Sequence, residues 1–561
     1  MKLLVGQVTN AGWFSGDATT ALKKLLEDSS LRLRKKVAEQ ASLTERLLLA
    51  VRSAPNRLLE SFDYATRSAI PSEISQDGPR LAELALNIHG PAVLSHLSET
   101  LEECGLKPPS RWGTQEAQDF VAALGFPPEF AVSPRAKRPS ELTVSGPMPL
   151  GDLHDYQAEI VNQLKSIVGN RGMKGRAVIS LPTGAGKTRV VVEASVKHVL
   201  SANSNERYLL WVAQTDELCE QAVQSFRQVW SNSGREWTDL RVVRLWGGNP
   251  DPAPSPDDVP TAVIASIQTL TARLGADRLA LLKGCALVVI DESHHAITPS
   301  YTKLLNWFLP EEEIKDDIES RPPVIGLTAT PFRGLNEDET RRLANRFNQR
   351  MLPAAKEQPK LYERLCKDGI LSRVQAEALQ SKVQFEFTEE EREQLERFKE
   401  FPESALQRLA KNESRNERIV DCVRGVVDEG PILLFASSVE HAQFLAARLC
   451  VLGVPSASIH GGTETAVRQY FIRQFQQGAI KVLANYQVLT TGFDAPKTST
   501  IVIARPVFSP VRYMQMIGRG LRGPKNGGTD VCKIITVVDN LLQYGDRLAY
   551  HYFMKYYPSR S

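Results

Sequence analysis

Two kinds of apolar spacing divide the chain. Across residues 21–49 and 81–101, apolar side chains recur at three- and four-residue intervals, the period of an amphipathic helix. Ser42-Leu-Thr-Glu45 has capping-box spacing ahead of the apolar run at 47–51. Residues 1–132 are therefore expected to form a mainly helical accessory domain. From residue 177 the pattern changes to short, continuous runs of Val, Ile and Leu at 177–181, 208–213, 261–267, 286–290 and 323–327. A second series follows at 432–435, 456–460, 481–484, 500–504 and 533–538. Such runs, separated by helical stretches, predict parallel sheets covered on both faces. The fold class read from this pattern is α/β, with two tandem parallel-sheet domains behind the helical one.

The punctuation between these series sets the expected boundaries. Pro134, Pro139, Pro147 and Pro149, with Ser and Gly, mark 133–150 as a linker. The first α/β domain is expected over 151–335 and the second over 416–545, with a tail at 546–561. Between the two domains, 336–415 is densely charged, as in Glu389-Glu-Glu-Arg-Glu-Gln-Leu-Glu396, and reads as a helical connector.

Composition narrows the partners. Of 561 residues, 42% are hydrophobic and 24% charged, the balance of a globular protein that works in water. A net charge of +3 excludes a strongly basic arm, so any nucleic-acid contact has to come from local patches. Arg32-Leu-Arg-Lys-Lys36 is the one dense basic cluster in the first 150 residues, and a solvated helix face accounts for it. The seven cysteines include no C-x-x-C pair, which argues against a zinc cluster or a disulfide framework. The first residues lack the apolar run of a secretion signal, and no stretch approaches the roughly 18 apolar residues of a membrane span. A cytoplasmic protein without a membrane partner is expected.

The chemistry begins where the run at 177–181 meets Pro182-Thr-Gly-Ala-Gly-Lys-Thr188 and a helix pattern follows. Glycines let backbone N–H groups approach phosphate oxygens, and a helix N-terminus adds favourable partial charge. Thr183, Gly184, Ala185 and Gly186 form this phosphate cradle; Lys187 reaches the β- and γ-phosphates, and Thr188 holds Mg²⁺. The strict pattern asks for Gly where Leu181 stands. A second apolar run, 286–290, ends in Asp291-Glu-Ser-His-His295. A carboxylate at the C-terminal edge of a sheet is placed to hold a nucleotide's metal, so Asp291 is assigned to Mg²⁺. Glu292 is the candidate to position or deprotonate the attacking water. His294 and His295 lack the further ligands that a metal pair would need.

These motifs resemble those of the superfamily 2 helicases and translocases, in their DExH branch, where Leu181 is no departure. The resemblance spans about residues 151–540, with nine motifs in the family's order, and implies two RecA-like domains using ATP and Mg²⁺. It implies that Gln157, in Leu153-His-Asp-Tyr-Gln157, reads adenine. Gln214 and Thr215, and Ser266, Gln268 and Thr269, fall in the two motifs that touch the nucleic-acid backbone in the first domain. Thr328 and Thr330, in Gly326-Leu-Thr-Ala-Thr-Pro331, couple hydrolysis to strand movement, with His294 as a coupling residue. In the second domain Ser437, His460, Gly461, Thr490 and Thr491 are placed on the strand, and Gly492 and Asp494 at the nucleotide. Any of the hydroxyls could instead cap a helix. The last motif is Gln515-Met-Ile-Gly-Arg-Gly-Leu-Arg522. Charge building up on a departing γ-phosphate is stabilised by planar arginine donors, and Arg519 and Arg522 supply them from the second domain, with Gln515 beside them.

The spacing of this last motif is closest to RadD-like proteins, UvrB-like repair helicases and the motor subunits of type I and III restriction systems. That favours DNA over RNA and action in repair or in defence against foreign DNA. No nuclease constellation accompanies it, so a nuclease or another subunit of such a complex is an implied partner. The alternative is a nucleic-acid-stimulated ATPase that senses or loads without separating strands.

Overall fold

The structure is a computed structural model. It describes residues 59–540 apart from 76, 104–106, 124–127, 132–139, 145–151, 202–207, 234–238, 253–258, 276, 309–321, 331–336, 354–357, 399–400, 489–494, 496 and 508. The expected helix at 21–49, its capping box, the cluster at 32–36 and the tail at 546–561 lie outside the described residues.

Two open sheets carry the two α/β lobes. The first is built from β1 (Glu141–Val144), β2 (Arg176–Ser180), β3 (Tyr208–Ala213), β4 (Leu240–Leu245), β5 (Thr261–Ser266), β6 (Leu287–Ile290), β7 (Val324–Thr328) and β8 (Met351–Leu352), in the order β1-β4-β5-β3-β6-β7-β2-β8. Its central strands are parallel and buried, apart from the half-buried Tyr208 that opens β3, as their largely apolar sequences require. The second contains β9 (Arg373–Gln384), β10 (Ile432–Phe435), β11 (Ser456–Ile459), β12 (Val482–Asn485), β13 (Thr500–Ile503) and β14 (Val531–Asn540), in the order β11-β12-β10-β13-β14-β9, all parallel. Because the strands run parallel, the loops after their C-terminal ends gather along one edge of each sheet.

Two expectations about the connecting segments are corrected. The 133–150 linker contains β1, which pairs antiparallel with β4 at the edge of the first sheet. β4 itself, Leu-Arg-Val-Val-Arg-Leu, does not stand out in the sequence because arginines interrupt it. Both are neutralised by partners: Arg241 reaches Glu141 on β1 at 2.6 Å, and Arg244 makes two bonds to Glu220, at 3.0 and 3.1 Å. Finally, 336–415 is not helical throughout. β8 extends the first sheet beside β2, and β9 pairs with β14 over most of its length. β9 has one neighbouring strand, so its outer residues stay polar and the charged helices on either side mask it in the sequence. Helices at Gln358–Lys367, Glu389–Phe398 and Glu403–Ala410 make up much of the rest.

Residues 59–131, where described, are helical as expected, with Gly78–His89 and Gln115–Ala123 the longest helices. Their core of Phe62, Leu81, Leu84, Ala85, Leu94, Ala117 and Val121 extends onto Cys450 and Val451 of the second lobe. Gly90, at φ +53°, lets this unit press on Phe471, whose ring would lie 3.0 Å from any Cβ there.

One buried ion pair ties the second lobe together. Arg415, on the helix Glu413–Val426, bonds both carboxylate oxygens of Asp539 at the end of β14, at 2.7 and 3.0 Å. Its Nη2 also donates to Ala504 O, just past β13, at 3.0 Å. Both side chains have 0% exposure, so the pair holds only while both charges are present. Asp539→Ala is expected to lower unfolding free energy by about 3–5 kcal/mol, measured by denaturant titration; a loss below ~1 kcal/mol would contradict this.

Candidate ATP site between the two lobes

Strand β2 delivers the chain into the loop 181–186, and the helix Lys187–Ser195 leaves it. Gly184 and Gly186 adopt φ +87° and +78°, which L side chains rarely tolerate, so the cradle depends on both glycines. Tyr156 Oη donates to Ala185 O at 2.7 Å and Gln157 Nε2 to the same oxygen at 3.2 Å. Gln157 Oε1 accepts from the His154 N–H at 3.0 Å. Gln157 thus braces the loop from beneath, and Gly186 makes room for it: a Cβ there would lie 2.5 Å from Nε2.

The Lys187 ammonium donates to Leu181 O at 3.1 Å. Burial pulls its pKa below the ordinary value, while Glu292 and Asp291 act to raise it and Arg519 to lower it further. Asp291 directly follows β6, and its Oδ1 accepts from the Glu292 N–H at 2.9 Å. Burial and the adjacent Glu292 push its carboxyl up to about 7, a condition a bound cation would relieve. A buried carboxylate held partly protonated by its neighbour is chemistry that suits a hard cation such as Mg²⁺, and Asp291, with the expected Thr188, would hold it. Burial alone would raise Glu292, but His294, Lys187 and Arg519 outweigh it and hold the carboxylate low, at about 2. Glu292 has φ +48°, a strained turn for a residue with a side chain.

A short relay leaves Glu292. His294 Nδ1 lies 3.3 Å from Glu292 Oε2 and 3.2 Å from Thr328 Oγ1. The Thr328 hydroxyl donates to Thr330 O at 3.0 Å and accepts from the Thr330 N–H at 3.0 Å. Its only proton is therefore committed, so the proton between it and His294 belongs to Nδ1. All three coupling residues are in contact and buried.

The arginine loop of the second lobe closes the site. The helix Pro510–Ile517, which carries Gln515, ends at Gly518, and Arg519 follows. A Cβ at Gly518 would lie 2.5 Å from Thr183 Oγ1, and one at Gly184 would lie 3.3 Å from Arg522 Cγ. Thr183, Gly184, Gly518 and Arg522, expected at one site from opposite parts of the chain, do meet. Arg519 is close enough to lower both Lys187 and Glu292. The sequence did not reveal what holds this loop. Ser372 N donates to Leu521 O at 3.0 Å, the single Ser372 hydroxyl proton is shared between Arg522 O at 2.7 Å and Thr529 O at 2.6 Å, and Gly523 N donates to Ile370 O at 3.0 Å. A lone serine before an edge strand gives no sequence signal for this.

The expected strand contacts fare unevenly. Thr215 Oγ1 accepts from Leu218 N at 3.3 Å and Ser266 Oγ from Thr269 N at 3.3 Å, so both cap the helices that follow. The exposed Gln268 joins the two motifs through Gln214 O at 3.0 Å. His460 and Gly461 lie on the loop after β11, where Arg468 gathers the carbonyls of His460, Gly461 and Thr463 and crosses to Glu217 of the first lobe at 3.3 Å. Ser437 is corrected: it is 1% exposed and its hydroxyl donates to Ala504 O at 2.9 Å, which turns it away from any strand. Thr490, Thr491, Gly492 and Asp494 lie outside the described residues.

Two α/β lobes thus meet with a P-loop on one and an arginine loop on the other. Residues 150–333 match the type III restriction enzyme res subunit family, and residues 414–523 match the helicase conserved C-terminal domain. The chain belongs to the superfamily 2 helicases and restriction motors. It is 26% identical over 393 residues to the helicase-family protein IRC3 of Saccharomyces cerevisiae, covering 69% of this chain and 51% of that protein. It is 28% identical over 383 residues to the mitochondrial helicase-family protein irc3 of Schizosaccharomyces pombe, covering 66% and 54%. The chain thus spans about half the length of these relatives. A fragment of an HsdR-like subunit of a type I restriction enzyme from Vibrio vulnificus is 20% identical, with a TM-score of 0.48, covering 71% of this chain and 66% of that one. Among the described residues no helix is long and apolar enough to cross a membrane.

Gly518→Ala tests the contact between the lobes. Its methyl would collide with Thr183, so turnover is expected to fall on the order of tenfold or more while ATP binding, measured with a fluorescent analogue, stays within a factor of about two. Unchanged turnover would show that the contact is not needed.

Proposed function

We propose that this protein is an ATP-driven motor that moves along DNA in repair or in defence against foreign DNA. The observation that carries the reading is the packing of Gly518 and Arg522 against Thr183 and Gly184. Within that reading Lys187 binds the β- and γ-phosphates of ATP, and Gln157 serves the adenine as well as the loop. Thr188 and Asp291 would hold Mg²⁺, which would supply neutralisation of phosphate charge. Glu292, kept ionised, orients the attacking water. Arg519 and Arg522 stabilise the charge on the leaving γ-phosphate, so hydrolysis waits for the lobes to close. Release of phosphate removes that attraction, and the reopening moves strand-binding loops on the two lobes past each other. His294 carries the change at Glu292 to Thr328 and Thr330.

DNA is favoured over RNA by the Arg-Gly-Leu-Arg spacing of residues 519–522 and by the match to the restriction-enzyme family. A nuclease or another subunit of a defence or repair complex would be its partner. The test is ATP turnover with single-stranded DNA, duplex DNA and RNA in parallel. DNA should stimulate several-fold more than RNA; no stimulation by any of them would sink the motor reading, and stronger stimulation by RNA would sink the DNA assignment.

Two substitutions test the residue roles. Glu292→Gln should bind ATP with near-normal affinity and hydrolyse it very slowly; loss of binding would remove Glu292 from the water-orienting role. Arg522→Ala should slow hydrolysis by roughly 10³ or more, the range for arginines supplied across an interface. A loss under tenfold in single-turnover assays would contradict that role.

A further inference from the structure

The second sheet has a crevice of its own. In open α/β sheets, ligands bind beyond the C-terminal ends of strands at the point where strand order reverses. In this lobe the point is β10: the chain proceeds from it to β11 and β12 on one side and to β13 and β14 on the other. A cleft of about 220 Å³ opens among the loops that follow the flanking strands, Tyr486 and Gln487 after β12 and Arg505 after β13. It is completed by Arg512 on the helix Pro510–Ile517 and by Phe401 and Glu403 from the helical segment between the lobes.

Its chemistry is that of an unpaired nucleotide. Two guanidinium groups against the single carboxylate of Glu403 leave the lining net positive. The Arg505 guanidinium stands 5.5 Å from the Tyr486 ring centroid, which fixes the ring beside a positive charge. Phe401 offers a second aromatic face, and Gln487, at φ +60°, sits at the rim. Aromatic faces with arginines are the means by which single strands are held without sequence preference. The cleft also lies at the end of β10, beside the position where Ser437 was expected to meet a strand. Ser437 itself is buried, bonded to Ala504 O, and does not line the cleft.

We propose that this cleft binds one nucleotide of a single strand, its phosphate at Arg505 and Arg512 and its base against Tyr486 or Phe401. The inference rests on the motor reading and deepens it. The helix that presents Arg512 ends at Gly518, so a nucleotide at its N-terminal end and the arginines beyond its C-terminal end sit on one rigid rod about 12 Å long. Strand binding in the cleft would therefore bear directly on the placing of Arg519 and Arg522.

The test is binding of fluorescein-labelled oligothymidylate by the full chain, followed by anisotropy over a range of salt concentrations. Arg512 is exposed, so Arg512→Gln should fold normally. It should weaken binding on the order of tenfold at low salt and reduce the slope of log K against log salt by about 0.7, the value of one phosphate contact on a single strand. Arg512→Lys should restore the slope. If the wild-type chain binds no oligonucleotide, the motor reading itself fails. If it binds and Arg512→Gln matches it in affinity and slope, the cleft alone is ruled out. Weaker binding with an unchanged slope would likewise overturn the phosphate contact. Thymidine 5′-monophosphate at equal nucleotide concentration should not displace the oligonucleotide; displacement would reassign the cleft to free nucleotides.

Discussion

There is no space for a side chain at Gly518, because Thr183 of the other lobe stands where a Cβ would go. That steric fact is the constraint on which the site depends. The P-loop and the arginine loop approach each other closely only if both backbones are bare at the contact, and glycine supplies this at Gly184 and Gly518. Once they meet, four charged groups from two lobes, Lys187, Asp291, Glu292 and Arg519, feel one another across a partly dehydrated space. Separate the lobes and Glu292 loses one of the cations that hold it ionised. The electrostatics of catalysis are therefore a property of the closed arrangement, not of either lobe.

Local devices transmit that arrangement outward. Gln157 ties the P-loop to the start of the helix Asp155–Val168 through Ala185 O and His154 N. His294 joins Glu292 to the end of β7 through Thr328. On the other lobe, the segment 370–372, which enters β9 soon after the chain leaves the first sheet at β8, grips the backbone of residues 521–523. The crossing between lobes therefore runs directly past the arginine loop.

Much of the fold was legible because buried parallel strands announce themselves as unbroken apolar runs, and the P-loop because its strand, loop and helix coincide. What escaped was polar for a physical reason. β4 hides its apolar character behind Arg241 and Arg244, whose partners, Glu141 and Glu220, are distant in sequence. β9 is an edge strand with a solvent-facing side, and charged helices flank it. Ser437 matched a family motif, but the sequence could not show that its hydroxyl would turn toward Ala504 O. Ser372 is invisible in the sequence because its role comes wholly from where Leu521 and Arg522 fall in space. Motifs thus picked out the P-loop, the Asp-Glu turn and the arginine loop that the fold brings together, while the parts that hold them needed the tertiary structure.

The central claim is that the catalytic constellation exists only when the two lobes close. Fluorescence energy transfer between one dye on an exposed position of each lobe measures this directly, with the chain bound to ADP or to a non-hydrolysable ATP analogue and DNA. The account predicts a short, narrow distance distribution with the analogue and DNA, and a longer, broader one with ADP. The same distance in both states would contradict it.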